Sequence, residues 1–97
     1  MSEMKSLTHS LLEEADSLIR ANRLDEAEVI LRNFQDKTNP QYWFLQGLVN
    51  QKRQAWGAAI NHYHRCLDLD PGHSGASAGK DMCNSILNFW NPSLFNP

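Results

Sequence analysis

Three side chains that could ligate a metal ion lie close together in the sequence. His62, His64 and Cys66 carry imidazole and thiol groups, and the spacing of four residues places His62 and Cys66 on one face of a helix. A zinc site needs about four ligands in a tetrahedral array, and no fourth group stands at useful spacing. His9 and His73 have no partner at such a spacing either. We therefore predict no metal site, with solvated histidines and a buried Cys66.

The segment from Gly75 to Lys80 has the small residues and the lysine of a phosphate-binding loop. That loop requires glycine at position 74, serine or threonine at position 81, and a preceding strand. This sequence has Ser74 and Asp81 and no strand pattern before them. Paired carboxylates, a nucleophile elbow and a Cys–His arrangement do not stand out either. The sequence thus predicts no catalytic residue, no cofactor and no enzymatic activity.

The composition is that of one globular domain. The chain has 97 residues, of which 41% are hydrophobic and 21% are charged, and its net charge is −2. So weak a charge gives no strong attraction to nucleic acid or to an anionic membrane surface. No window reaches the ~18 apolar residues of a spanning helix, and the N-terminal segment lacks the apolar core of an export signal. We expect a cytoplasmic protein that binds neither nucleic acid nor membrane, with Cys66 and Cys83 as free thiols.

Apolar residues recur at helical spacing in five segments, and no segment alternates with the period of a strand. The first two helices are expected at about 7–21 and 24–35. Asn39-Pro40 starts the third, because Asn is a favoured N-cap and Pro a favoured first residue. The fourth is expected at about 56–69, ended by Asp70-Pro71-Gly72, and the fifth at about 74–90. The apolar stripe of the fifth helix is predicted to consist of Ala78, Met82, Ile86 or Leu87, and Phe89 or Trp90.

The sequence repeats itself when Ala27 is aligned with Ala59. This alignment places apolar or small residues opposite one another at five further positions. These are Leu11 and Trp43, Ala15 and Gly47, Leu24 and Trp56, Leu31 and Tyr63, and Phe34 and Cys66. Since one helix pair leaves an apolar face open, the two copies are expected to stack on each other.

The second copy reads Trp43-x3-Gly47-x11-Ala59-x3-Tyr63-x2-Cys66-x4-Pro71. It resembles the tetratricopeptide repeat family, whose pattern is Trp-x2-Leu-Gly-x2-Tyr, then Ala-x3-Phe, then Pro. The likeness covers about residues 8–90. Gln46, Asn50 and Cys66 depart from the family pattern, and the usual glycine is missing from the turn at Gln54-Ala55.

The resemblance implies an all-α fold in which antiparallel helix pairs stack as a short right-handed superhelix of about five helices. It divides a single domain, 1–97, into repeat one at about 8–39 and repeat two at about 40–73. A capping helix at about 74–90 and a tail at 91–97 follow. The apolar residues of the chain end, Phe89, Trp90, Leu94 and Phe95, are expected to pack on the domain or on a neighbouring chain.

In this family the first helix of each pair lines a concave groove that binds a peptide or helix of another protein. Carried over by position, the groove residues are Leu12, Asp16, Phe44, Leu48, Gln51, Lys52 and Met82. Phe44 and Leu48 lie off the packing line of Trp43 and Gly47, so we expect them to be exposed unless the fifth helix or the tail covers them. The Lys and Asn clamp with which some members grip a C-terminal carboxylate is absent, so a partner with an acidic C-terminus is not expected.

The implied function is that of a protein-binding module, such as an adaptor, a scaffold or a chaperone-like protein. Its affinity would come from apolar burial at Phe44 and Leu48. The alternative is a self-associating structural subunit whose apolar face pairs with a second copy. This alternative follows from the length of the array, because about three repeats are normally needed for stability.

Overall fold

Five helices make up the regular structure of the chain. The computed structural model describes residues 2–90, with side chains from residue 10 to residue 89. The helices are α1 (Ser2–Arg20), α2 (Leu24–Asn33), α3 (Pro40–Lys52), α4 (Trp56–Leu69) and α5 (Ser74–Trp90). The all-α prediction is confirmed for this range, and the predicted tail at 91–97 lies outside it. Within the same range no helix combines the length and the apolar character needed to cross a membrane.

The bounds of α4 and α5 and the start of α3 confirm the sequence prediction. At the start of α3, Asn39 Oδ1 accepts a hydrogen bond from the backbone N–H of Gln41 at 2.9 Å. By contrast, α1 begins at Ser2 rather than at Leu7, since no glycine or proline interrupts residues 2–6. The second helix ends at Asn33, two residues before the predicted end, because Phe34 adopts an extended backbone conformation.

The turns α1–α2 and α3–α4 share one backbone geometry. Asn22 and Gln54, which the alignment of Ala27 with Ala59 makes equivalent, have φ angles of 62° and 63°, in the left-handed region. In both turns the following N–H reaches back five residues at 2.8 Å, from Arg23 to the Leu18 carbonyl and from Ala55 to the Asn50 carbonyl. This is a Schellman cap, in which the left-handed position usually holds glycine. The cap therefore forms without the glycine that the family pattern has there.

The helices α3 and α5 also begin in the same way. Asp36 Oδ1 accepts from the N–H of Thr38 at 3.0 Å, and Asp70 Oδ1 accepts from the N–H of Gly72 at 3.3 Å. The side chain of His73 then caps α5 as that of Asn39 caps α3, since its Nδ1 accepts from an N–H of the first turn. The two elements are therefore equivalent in register, with His73 at the position of Asn39.

Burial follows the alignment that the sequence predicts. Both members of four aligned pairs are buried, namely Ala15 and Gly47, Ala27 and Ala59, Leu31 and Tyr63, and Phe34 and Cys66. Both members of the other two pairs, Leu11 with Trp43 and Leu24 with Trp56, are half-buried. The two helical hairpins thus use equivalent positions for their cores.

The core consists of two apolar clusters that meet at α3. The first joins α1, α2 and α3, with Ile19, Leu31 and Leu45 among its buried members. The second joins α4 and α5 through Ala59, Tyr63, Cys66, Ala76 and Cys83. Trp43 and Phe44 pack against both clusters, so α3 connects the two hairpins.

The packing of α5 corrects the predicted stripe of that helix. Ala78, Met82 and Phe89 are exposed, whereas Ala76 and Cys83 are fully buried. The reason is the close approach of α5 to the Tyr63 ring, where a Cβ at Gly79 would lie 2.6 Å from Tyr63 Cζ. Only small residues fit that contact, so the larger apolar residues of α5 lie on its outer side.

Candidate functional site

An apolar strip runs along the outer side of α5. Met82, Ile86 and Phe89 are spaced by four and three residues, so their side chains lie on one face of the helix. Met82 is 43% exposed and Phe89 is 65% exposed, while Ile86 is half-buried. Apolar side chains that are exposed on one face of a helix are typical of an interaction site. The spacing of Met82, Ile86 and Phe89 was the available sequence signal for Phe89, which the groove prediction did not include.

The helix α3 lies beside α5 and runs in the same direction. Near their starts, the Phe44 ring packs against Gly75, where a Cβ would lie 2.8 Å from Phe44 Cε1. Near the end of α3 and the middle of α5, Gln51 Oε1 lies 4.0 Å from Cys83 Sγ. Leu48, which is midway between Phe44 and Gln51, therefore lies beside the turn of α5 that ends at Met82.

We define the α3–α5 face as Leu48, Lys52, Met82 and Ile86. Leu48 is half-buried because it also packs against the first cluster, and Lys52 is exposed. The face therefore has an apolar centre on two neighbouring helices and a positive charge at one edge. Three of the predicted groove residues, Leu48, Lys52 and Met82, belong to it.

Phe44 does not lie exposed as expected, because the start of α5 covers it. Its ring centroid lies 4.6 Å from that of His73 and 6.0 Å from that of Tyr63. The alternative stated above, coverage by the fifth helix, is therefore what occurs at Phe44. Its side chain contributes to the joint between the two clusters rather than to an open groove.

The remaining predicted groove residues have structural partners. Leu12 is 5% exposed and belongs to the first cluster, so its expected groove position is wrong: α1 turns this side chain into the core. Asp16 is half-buried and its Oδ1 lies 3.1 Å from Arg20 Nε. Gln51 Oε1 accepts a hydrogen bond from the Tyr63 hydroxyl at 2.5 Å, which binds α3 to α4. Asp16 and Gln51 are both half-buried, so each still has a polar group near the surface.

The side of α5 that corresponds to the α4-packing side of α3 is polar. On α3, Gly47 and Gln51 meet Tyr63 of α4, and Asn50 meets His62. When the two helices are aligned by their caps, Asn39 on His73, the equivalent positions of α5 hold Asp81, Asn84 and Ser85, which are all exposed. On α5, hydrated polar side chains therefore occupy the positions that α3 uses to pack against α4.

The histidine and cysteine residues of α4 have different environments. His62 Nδ1 lies 2.9 Å from the Ala58 carbonyl oxygen, and its ring stacks on Trp43 at 5.9 Å between centroids. Cys66 is fully buried, and this burial raises the pKa of its thiol to about 11. His64 is exposed. Among the described residues, no three groups of the types His, Cys, Asp or Glu come together in a way that could hold a metal ion.

A scan against protein-family models gives no match to the sequence. The comparison with curated proteins and the comparison with solved structures give no match either. The relation to tetratricopeptide repeats therefore stays a prediction from the residues, and the function is argued from the surface itself.

Proposed function

We propose that the chain is a protein-binding module, a short tetratricopeptide-like array whose α3–α5 face receives a helix or peptide of a partner protein. The observation that carries the proposal is the 43% exposure of Met82 on α5, a helix that lies beside α3 and parallel to it. Two parallel helices leave a shallow furrow between them, into which an amphipathic segment can place its apolar side chains. When such a segment covers Leu48 and Met82, the complex is stabilised in proportion to the apolar area that is removed from water.

Met82 is suited to the centre of such a contact. Its unbranched thioether side chain adapts to different apolar surfaces, and methionine is enriched where proteins meet. Lys52 at the edge adds a positive charge, so a partner segment with an acidic residue next to its apolar stripe fits best. We propose the α3–α5 face, and not Phe44 or Leu12, as the determinant of affinity, because those two side chains already have partners inside the chain.

The double variant Leu48→Ser/Met82→Ser tests the proposal. A matched control exists in Val29→Ser/Leu69→Ser, since Val29 and Leu69 are 50% and 44% exposed and lie on α2 and α4. Tagged wild-type protein and both variants are used to capture partners, and each captured protein is then purified and titrated directly. We expect the α3–α5 variant to lose binding by about tenfold or more, as removal of a contact worth over ~1.4 kcal/mol does.

The control variant is expected to bind like the wild type. Both variants must keep the helical circular dichroism of the wild type, so that lost binding reports the surface and not unfolding. Equal binding by the wild type and the Leu48→Ser/Met82→Ser variant contradicts the proposed face.

The second candidate function is self-association through the same face, favoured by the apolar strip on the outer side of α5. A two-fold pairing of α5 with its copy covers Met82 on both chains at once. Sedimentation of the wild type over a range of concentrations, beside the Leu48→Ser/Met82→Ser variant, separates the candidates. A dimer that the variant abolishes supports self-association, and a monomer at all concentrations excludes it.

A further inference from the structure

A polar cleft of about 350 Å³ lies between α2 and α3, away from the α3–α5 face. Its lining is contributed by α2, by the connection to α3 and by the first half of α3. The lining residues are Glu28, Arg32, Lys37, Tyr42 and Gln46. Tyr42 and Gln46 lie about 120° and about 160° around α3 from Leu48, because each residue advances about 100° around a helix. The cleft is therefore a separate surface, and what it binds does not depend on the proposed function.

Hydrogen-bond donors converge in this cleft. Lys37 Nζ donates to the Tyr42 hydroxyl at 2.9 Å and to the Phe34 carbonyl at 2.6 Å, and Gln46 Nε2 donates to the same hydroxyl at 3.0 Å. Because the Tyr42 oxygen accepts from both sides, its own hydrogen remains available to a further acceptor. The ammonium group of Lys37 also keeps a hydrogen that these two bonds do not use.

Arg32 adds a guanidinium group that is exposed on α2. Within the part of the chain that the structure describes, neither a hydrogen bond nor an ion pair engages this group. Its parallel N–H groups match the two oxygens of a carboxylate, which Arg binds in a bidentate manner. Arg32, Tyr42 and Lys37 therefore bring donors to the cleft from α2, from the connection to α3 and from α3, and the acceptors of the lining are the Glu28 carboxylate and the Gln46 amide oxygen.

The charge balance favours a singly charged ligand. Glu28 carries the negative charge of the cleft, and its Oε1 is engaged at 2.6 Å by Arg53 Nη1. This hydrogen bond also raises the pKa of Arg53 above its ordinary value, because the carboxylate of Glu28 stabilises the charged guanidinium group. The positive charges of Arg32 and Lys37 are then left to attract an anion, while the carboxylate of Glu28 opposes a doubly charged one.

We propose that the cleft between α2 and α3 binds a carboxylate group, with Arg32 as the bidentate partner and with Tyr42 and Lys37 as further donors. The carboxylate comes from an acidic side chain of a peptide or from a small carboxylic acid. Gln46, whose amide can pair with a peptide group, favours the acidic side chain.

Titrations followed by NMR of the arginine N–H groups and of the backbone amides test this site. The probes are N-acetyl glutamic acid amide, its neutral counterpart N-acetyl glutamine amide, acetate and inorganic phosphate, each at low ionic strength and pH 7. We expect the glutamic acid derivative to shift the signals of Arg32 and of the start of α3, with millimolar affinity. Tighter binding of this derivative than of acetate identifies an acidic side chain as the ligand, and equal binding identifies a free carboxylic acid.

Substitutions then assign the contact to Arg32. Arg32→Gln is expected to raise the Kd at least about tenfold, the usual consequence of losing a hydrogen-bonded charge, and Arg32→Lys a few-fold because the second parallel bond is lost. The matched control is Lys80→Gln on α5, which removes one positive charge elsewhere and should leave the Kd unchanged. Binding of the neutral amide as tight as that of the acid overturns the proposal. So do tighter binding of phosphate and an equal loss in Arg32→Gln and Lys80→Gln.

Discussion

The two helical hairpins share one backbone geometry and fill it with different side chains. The buried residues Ala15 and Leu31 of the first hairpin correspond to Gly47 and Tyr63 of the second. The missing Cβ of Gly47 provides space for the ring at position 63, which is larger than the leucine it replaces. A repeat geometry can thus be kept while side-chain size changes, provided that both positions change together.

This difference also changes the chemistry of the core. The Tyr63 hydroxyl introduces a buried hydrogen bond to Gln51, and Cys66 stands where the first hairpin has Phe34. Burial raises the pKa of Tyr63 above its ordinary value, and a neighbouring Cys83 adds to the effect. The second hairpin therefore has titratable groups in its core at positions where the first has Leu31 and Phe34.

The largest expected effect comes from Gly47→Ala. The added Cβ overlaps with Cε1 and Cδ1 of Tyr63, so the ring or the helix must move. We expect the free energy of unfolding to fall by about 2 kcal/mol, since overpacking outweighs the roughly 1 kcal/mol that alanine gains over glycine in a helix. Urea denaturation followed by circular dichroism measures the difference.

Two further variants sharpen this result. Gly57→Ala is the matched control, because a Cβ at Gly57 meets no atom within 4 Å, and it should be neutral or stabilising by up to about 1 kcal/mol. The double variant Gly47→Ala/Tyr63→Leu recreates the pair Ala15 and Leu31 of the first hairpin. It should lose less stability than the sum of its two single variants. If the Gly47→Ala protein is as stable as the Gly57→Ala protein, the Tyr63 ring does not need the space that Gly47 leaves, and this explanation is wrong.

Alkaline pH should destabilise the protein through the second hairpin. The pKa of Cys66 rises from 9.0 to about 11 on burial, so the unfolded chain loses this proton at a lower pH than the folded chain. The stabilisation is complete below pH 9 and is lost as pH rises toward 11. The free energy of unfolding should fall in this window by at most about 1.4 kcal/mol per pH unit for this one thiol.

The measurement is a series of urea denaturations between pH 7 and pH 10.5. Cys66→Ala lowers the stability at every pH because it removes buried volume, but the dependence on pH should become shallower. The slope, and not the stability itself, is therefore the informative quantity. A slope unchanged by Cys66→Ala assigns the alkaline loss to other groups and contradicts this account.

Much of this fold could be predicted from local signals. Asn39-Pro40 and Asp70-Pro71-Gly72 mark helix ends by their own backbone chemistry, and the pairing of Ala27 with Ala59 located equivalent core positions. The buried side of α5 could not be read in this way. It depends on the approach of Tyr63 from another helix, which selects small residues such as Ala76 and leaves Met82 outside.

The candidate surfaces could likewise be predicted only in part. Leu48, Lys52 and Met82 could be placed by repeat position alone, because helical periodicity fixes which side of α3 and α5 they occupy. The coverage of Phe44 depends on how the chain around His73 packs, which no spacing encodes. The cleft between α2 and α3 collects residues from three segments, and Arg32 carries no motif that would have singled it out.

The smallest expected effect lies in the turns that the two hairpins have in common. Gln54 holds a φ of 63° with a side chain that disfavours this region, whereas Asn22 at 62° belongs to a type that tolerates it. Gln54→Gly should therefore raise the free energy of unfolding by about 1 kcal/mol, and Asn22→Gly by clearly less.

Gln54→Asn provides the matched comparison, because it places in the second turn the residue that the first turn already has. Its stability should fall between those of the wild type and Gln54→Gly, as measured by the midpoint of thermal unfolding. If Asn22→Gly gains as much as Gln54→Gly, side-chain type has no influence at this position. The stability of these caps would then come from the backbone hydrogen bonds at 2.8 Å alone.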